Sequence, residues 1–262
     1  MAGAKTAERL LFDIVHDIAA EGLQPGDRLP PQAELMRRYG AGATPLREAL
    51  RMLELAGLVS VRPGPNAGTV VEEASAERLA ALVAPYLCLA GATYGQLMDA
   101  WAATEPLLAA AAAVNPDRAQ VVSELAEFAA EPESDEPVGQ AHAIDFHDAV
   151  ARAAGNPALG LVAQVLSYVV ADLYWASTDA LPPGGAVRHD HHEVAEAVLA
   201  GDAARARTAM EAHARGVAGA ILARVGRTRE EPFVWRRKQA GLAVYRRRPM
   251  AGPAGYSGGS TK

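Results

Sequence analysis

Two sets of side chains in this sequence have the types and spacing to do chemistry. The first lies in ATPLREALRMLELAGLV, Ala43 to Val59, where Arg47 and Arg51 stand one helical turn apart. Leu46, Ala49, Leu50 and Leu53 make an inward stripe on that helix, which leaves Arg47, Glu48, Arg51 and Glu54 outside. A guanidinium takes two phosphate oxygens, or the O6/N7 edge of guanine, in a bidentate fork. The second set is His147, His191 and His213. His147 aligns with Ile144 and Val150, His191 with Val194 and Val198, and His213 with Met210 and Val217, each at helical spacing. All three thus lie on the inward stripes of different helices. Neutral imidazoles converging inside a bundle suit Zn²⁺ or a similar divalent ion. His142, His189 and His192 are expected to face water.

The elements that must position these groups follow from pattern. Leu10, Leu11, Ile14, Val15 and Ile18 give an amphipathic helix over 7–20. EGLQPGDRLP breaks the period, a second short helix runs from about Pro31 to Tyr39, and Gly40 stops it. Gly42 or Thr44 caps the third helix, Pro45 is tolerated in its first turn, and Gly57 ends it. LVSVRPGPNAGTVVEE has two short β-branched runs around a Pro/Gly turn, which predicts a hairpin. From about Ser75 the pattern is helical only, with helices expected near 76–90, 94–113, 116–130, 138–154, 157–178, 187–200 and 202–225. The fold class is therefore mainly α: a winged helix-turn-helix followed by an all-α bundle. Three domains are expected: 1–74, 75–225, and 226–262 as a basic, largely flexible tail.

Charge agrees with that division. The 262 residues carry a net −6, yet residues 1–75 hold 8 Lys/Arg against 10 Asp/Glu, residues 76–225 hold 8 against 19, and residues 226–262 hold 9 against 2. The acidity belongs to the bundle and the tail is basic. The single cysteine, Cys88, rules out an internal disulfide and suits a reducing cytosol. MAGAKTAERLLFDIVHDIAA lacks the continuous apolar core of a secretion signal. LGLVAQVLSYVVADLYWA is broken by Gln164 and Asp172, so a buried helix is expected rather than a membrane span. A cytoplasmic protein with no membrane partner is expected.

Helix, tight turn, helix with outward arginines and hairpin is the layout of a winged helix-turn-helix, whose third helix enters the major groove. PGDRLPPQAEL…YG…LREALRMLELAGLVSVRPGPNAGTVV resembles the DNA-binding domain of GntR-family transcription regulators, over roughly residues 7–73. The resemblance makes "REAL" the recognition helix and the hairpin the wing. It matches Arg47 to a family arginine and leaves Arg51, Arg37 and Arg38 as further DNA-binding candidates, with Thr44 at the helix start. In the wing, Gly64, Asn66, Gly68 and Thr69 bring backbone and small polar groups towards DNA. The chain departs from the family at Ala33 and at Gly42-Ala43, where relatives carry arginines. Fewer contacts per subunit imply weaker or more shape-dependent binding, with dimerisation or the basic tail making up part of the difference.

The bundle also has a likeness. FHDAVARAAGNP, HHEVAEAVLAGD and A-x-x-x-M-x-x-H resemble the FCD ligand domain of the FadR subfamily. In metal-binding members three histidines hold the ion, which carries over to His147, His191 and His213. Ala143 stands where the usual Asp or Asn ligand would be, and Asp145 points elsewhere on a helix. Three histidines plus water or an effector oxygen could still hold zinc or another divalent metal. Related domains place an arginine four residues before the glutamate that is Glu105 here, and this chain has Trp101. Either Trp101 and Glu105 line the pocket of a more apolar effector, such as a fatty acid or other organic acid, or Trp101 is simply core.

The expected function is a homodimeric, effector-responsive transcription regulator, most simply a repressor, on a palindromic double-stranded DNA operator. Two other readings compete. HDHHE with a distant histidine suggests a metallohydrolase, but no general base or strand framework accompanies it. A metal or ligand sensor with decayed DNA contacts, acting through protein partners, draws support from Ala33 and Ala43.

Overall fold

The computed structural model describes residues 6–62, 68–130, 140–177 and 184–235. The order is α1 (Ala7–Ala20), α2 (Gln32–Tyr39), α3 (Ala43–Leu55), β1 (Val59–Arg62), β2 (Gly68–Val71), α4 (Ala76–Leu89), α5 (Tyr94–Ala113), α6 (Arg118–Leu125), α7 (Gln140–Ala153), α8 (Pro157–Ser177), α9 (Gly184–Leu199) and α10 (Ala203–Val225). Among the described residues no helix is long and apolar enough to cross a membrane.

The first core is closed by Leu10 and Ile14 of α1, Leu35 and Tyr39 of α2, the Leu46, Ala49, Leu50 and Leu53 stripe of α3, and Val59 and Val71 of the hairpin. Each of those leucines contributes roughly 1.5–3 kcal/mol by leaving water. Gly42, without a side-chain hydrogen bond, is the N-cap of α3. The hairpin pairs Val59 with Val71 and Arg62 with Gly68 in antiparallel register.

A third edge completes the wing, supplied by a stretch whose pattern shows only a break. Leu29 N–H donates to Thr69 O, Gly26 N–H to Val71 O, and Val71 N–H to Asp27 O, all at 2.9 Å. β2 is therefore flanked on both sides, and Thr69, Val70 and Val71 are all buried. This corrects the expectation that Thr69 faces DNA: its side chain is 4 % exposed and points inward.

In the helical part α5 runs through the middle, packed against α7, α8, α9 and α10, while α4 lies against α8 and α6 against α7. The expected helices are present with two changes of boundary. α6 stops at Leu125, where Phe128 N–H donates to Leu125 O only three residues back, a tighter turn than the α-helix makes. That turn brings Phe128 inward, edge-on to Phe146 at 5.3 Å. α9 starts at Gly184, ahead of the expected 187.

The tail also needs correction. Residues 226–235 belong to the folded body: Phe233 is 2 % exposed, packed edge-on against Tyr94, and its N–H donates to Ala92 O at 2.7 Å. Gly95 N–H donates to Arg229 O at 2.8 Å, and a Cβ at Gly95 would stand 2.8 Å from that oxygen, so only glycine admits the strand-like approach. Residues 236–262, with most of the basic charge, lie outside the described residues.

α4 joins the two halves. The Arg78 guanidinium donates to Glu54 O at the end of α3 at 3.2 Å, and the Arg78 side chain passes under Gly57. Gly57 has φ +77°, and a Cβ there would meet Arg78 Cδ at 2.5 Å. Gly57→Ala should lower the stability by about 1–3 kcal/mol, the usual range for a side chain forced into left-handed backbone. Urea unfolding checks this, and an unchanged midpoint would contradict the close approach.

Candidate functional site

The α3 stripe buries one face of the helix, so its opposite face is solvent-exposed, with Thr44, Arg47, Glu48 and Arg51 on it. Among the described residues, Arg37, Arg47 and Arg51 make no side-chain hydrogen bond or ion pair. Their guanidinium groups keep their full donor set. Arg51 differs from Arg47 in place: it lines a groove of 1090 Å³ between α3 and α4, with Glu48, Glu54 and Glu77. Arg38 is committed elsewhere. It pairs with Glu21 at 2.7 Å and Asp17 at 3.4 Å, fastening α2 to α1.

In the wing Gly64 and Asn66 lie outside the described residues, and Gly68 opens β2. Arg28 is exposed at the wing edge, where it bridges Val70, and the sequence reading passed over it. No local signal marks it, because the Pro/Gly-punctuated PGDRL carries no strand alternation and its edge pairing depends on β2. Ala33 and Ala43, the two positions where an arginine is missing, are both exposed.

The three histidines converge as the helical stripes predict. His147 of α7, His191 of α9 and His213 of α10 each offer a nitrogen, and these atoms lie within 4.8 Å of one another. All three are buried, at 9, 1 and 2 % exposure. Each ring is held differently. His147 Nδ1 lies 2.8 Å from Glu105 Oε2, His213 Nδ1 lies 3.2 Å from Asp190 Oδ2, and His191 stacks on Phe146 at 3.8 Å and 13°. The Nδ1 contacts leave Nε2 of His147 and His213 for the cluster. His213 Nε2 is buried with no hydrogen-bond partner, which is the state expected of a ligand atom. The donor set of three nitrogens, two backed by carboxylates, fits zinc or a similar ion. Burial lowers the proton affinity of His213 below the ordinary imidazole range, with Asp190 opposing it.

Trp101 and Glu105 sit immediately behind His147. Glu105 is 1 % exposed and Trp101 2 %. Glu105 Oε1 accepts from Trp101 Nε1 at 3.1 Å and from Ser167 Oγ at 2.8 Å. Burial pushes the Glu105 carboxyl up, but the facing His147 and the Ser167 hydroxyl together hold it below its ordinary value. The expected effector-pocket pair is thus the closed wall behind the histidines. Next to it, Asp148 accepts from Gln164 and Tyr168, both at 2.8 Å, and ties α7 to α8.

The remaining histidines divide. His189 is exposed as expected, and the His142 side chain lies outside the described residues. His192, expected in water, is half-buried, with its side chain 14 % exposed and Nε2 3.8 Å from Glu196. It follows His191 directly and is carried inward by the same turn of α9. Asp145 is exposed and takes no part in the cluster.

Comparison with known proteins gives these two sites a common setting. Residues 6–71 match the bacterial regulatory proteins of the gntR family, and residues 96–216 match the FCD domain. The chain thus carries a GntR-family DNA-binding helix-turn-helix domain followed by an FCD domain, the make-up of a transcription regulator. It is 29 % identical over 209 residues to the uncharacterized HTH-type transcriptional regulator Rv0494 of Mycobacterium tuberculosis, covering 79 % of this chain and 85 % of the relative. The HTH-type transcriptional repressor NanR of an Enterobacter species is 24 % identical over 225 residues, covering 80 % and 85 %. A solved GntR protein of Streptococcus agalactiae has the same fold, with a TM-score of 0.59 and 20 % identity over 82 % of this chain and 99 % of that one. Both domains and the sequence relatives indicate a transcription regulator.

One measurement tests the packing of α2 on α1. The Tyr39 hydroxyl donates to Asp17 Oδ2 at 2.8 Å. Burial first, and then this bond, push its phenol up to about 12. A phenol raised in the folded state contributes stability that is complete below about pH 10 and is lost as pH rises through about 12. Phenolate absorbance should show a component that titrates near pH 12, and Tyr39→Phe should diminish it. A high-pH component left unchanged by that substitution would contradict the assignment.

Proposed function

We propose that this chain is an effector-responsive repressor of the FadR subfamily, acting as a homodimer on a palindromic operator. Residues 1–74 serve as the DNA-reading unit and residues 75–225 as the sensing and dimerisation unit. The observation that carries the proposal is the outward face of α3, where Arg47 and Arg51 stand exposed beside the wing. Arg47 is the leading DNA contact, because Arg51 lies towards the α3–α4 groove. Arg37, Thr44, Gly68 and the undescribed Gly64 and Asn66 are the supporting contacts, while the Arg38 guanidinium serves α1. Repression is favoured by the relative NanR, which is named a transcriptional repressor.

In the helical unit, His147, His191 and His213 are proposed to hold zinc or another divalent cation. That cation would supply a buried Lewis-acid charge to which an anionic oxygen of an effector can bind. A fatty acid or other organic acid is the proposed effector class, its carboxylate meeting the cation while Trp101 stays buried behind His147. Helix α4 offers the route between the units, since it packs on α8 and its Arg78 holds the end of α3. An effector shifts operator binding only if it binds two arrangements of that junction with different affinity.

Binding of the purified protein to its own upstream region across a salt series tests the regulator reading. Selective binding that weakens as salt rises is expected, and Arg47→Ala should cost about 1–3 kcal/mol if the side chain reads a base. Binding without sequence preference at every salt would overturn the proposal. Selective binding untouched by Arg47→Ala would reassign the recognition contact. For the second site, zinc content after purification and dialysis should fall in His191→Ala, and equal zinc in both proteins would refute the histidine assignment.

A further inference from the structure

The wall behind the histidines has a hydrogen-bond arithmetic of its own. One carboxylate, Glu105, faces three donors: Trp101 Nε1 and Ser167 Oγ on its Oε1, and His147 Nδ1 on its Oε2. Trp101 Nε1 also donates to Ser167 Oγ at 3.0 Å, which fixes the direction in which that hydroxyl gives its own proton to Glu105. An indole N–H can only donate, whereas an imidazole nitrogen can donate or accept according to tautomer. A carboxylate in this position accepts from all three. It thereby requires the proton of neutral His147 to sit on Nδ1 and leaves the Nε2 lone pair directed at the cluster.

We propose that Glu105, locked by Trp101 and Ser167, is the positioning residue that selects the metal-ligating tautomer of His147. The proposal rests on the reading that the three histidines hold a divalent cation. The three rings are not equivalent. His147 is backed by a fully buried carboxylate with two further donors, whereas Asp190, behind His213, is 44 % exposed and free to exchange its partner with water. The His147 position is therefore the preset corner of the site, and the His213 corner is the adjustable one.

Glu105→Gln makes a sharp test because it changes almost no volume. Its amide has one oxygen and one NH₂ group. With the oxygen on the Trp101–Ser167 side, the NH₂ group faces His147 Nδ1 and requires it to accept. The ring proton then moves to Nε2, where it blocks ligation. The opposite amide orientation sets the NH₂ group against Trp101 Nε1–H, a donor with no second tautomer. The first outcome is therefore favoured.

The experiment has two readouts on the full chain. In zinc-free protein, long-range ¹H–¹⁵N spectra of the histidine rings should show the Nδ1–H tautomer for His147, and Glu105→Gln should move it to Nε2–H. In zinc titrations against a chromophoric chelator, Glu105→Gln should weaken binding about 10–100-fold, the range found for outer-sphere partners of ligating histidines. Asp190→Asn should weaken it less. A folded Glu105→Gln protein with the wild-type tautomer and wild-type zinc affinity overturns the proposal. If the wild type takes up no zinc while the tautomer change occurs, the metal reading fails and the positioning role stands. Should Glu105→Gln not fold, Ser167→Ala removes one lock and leaves Glu105 and His147 in place. Glu105 then still holds the Nδ1–H tautomer but is less firmly placed, so weaker zinc binding is expected, and unchanged zinc affinity overturns the proposal.

Discussion

The helical half of this regulator is organised around one buried anion. A carboxylate removed from water is tolerated only when hydrogen bonds replace its hydration. The donors that satisfy Glu105 come from its own helix α5, from α8 through Ser167 and from α7 through His147. One side chain thus fixes the relative placement of three helices, and the same bonds orient the first of three converging histidines. Aromatic packing completes the site: Phe146 takes His191 on its face and is backed edge-on by Phe128. Core formation and site formation are one event here.

The second constraint is the junction. α4 shares a core with α5, α8 and α10, and at its start Arg78 holds the last turn of α3 and passes beneath Gly57. Rotation of α4 must therefore be felt at the helix that carries Arg47. The ordered residues 226–235 pack over the α4–α5 turn, with Phe233 on Tyr94 and Trp235 N–H on Cys88 Sγ. They brace the end of α4 remote from α3. An effector that acts through α4 needs two arrangements of these contacts to choose between.

Much of this was legible in the sequence, because periodicity reports burial directly. The stripe Leu46, Ala49, Leu50, Leu53 located the outward face of α3, and the apolar neighbours of His147, His191 and His213 placed all three rings inside. What the sequence hid depends on tertiary neighbours. Thr69 looks like a wing-tip hydroxyl until residues 26–29 are seen to flank β2. Arg38 looks like a free basic residue until Asp17 and Glu21 of α1 are brought to it. Phe233 opens the short apolar triplet Phe233-Val234-Trp235 ahead of a basic run, and its partner Tyr94 is far away in the chain, so the contact could not be anticipated. Trp101 and Glu105 were picked out as a pair, but their role behind His147 depends on Ser167 from a third helix.

The central claim is that the histidine cluster and the DNA-reading face are coupled through α4. Coupling between two binding sites is reciprocal, so operator DNA must alter metal affinity by the same factor by which metal alters operator affinity. Zinc affinity measured with and without a saturating operator fragment tests this most directly. The account predicts a difference of about 5–150-fold, the usual span of allosteric coupling. Identical zinc affinity in the free and DNA-bound protein would contradict it.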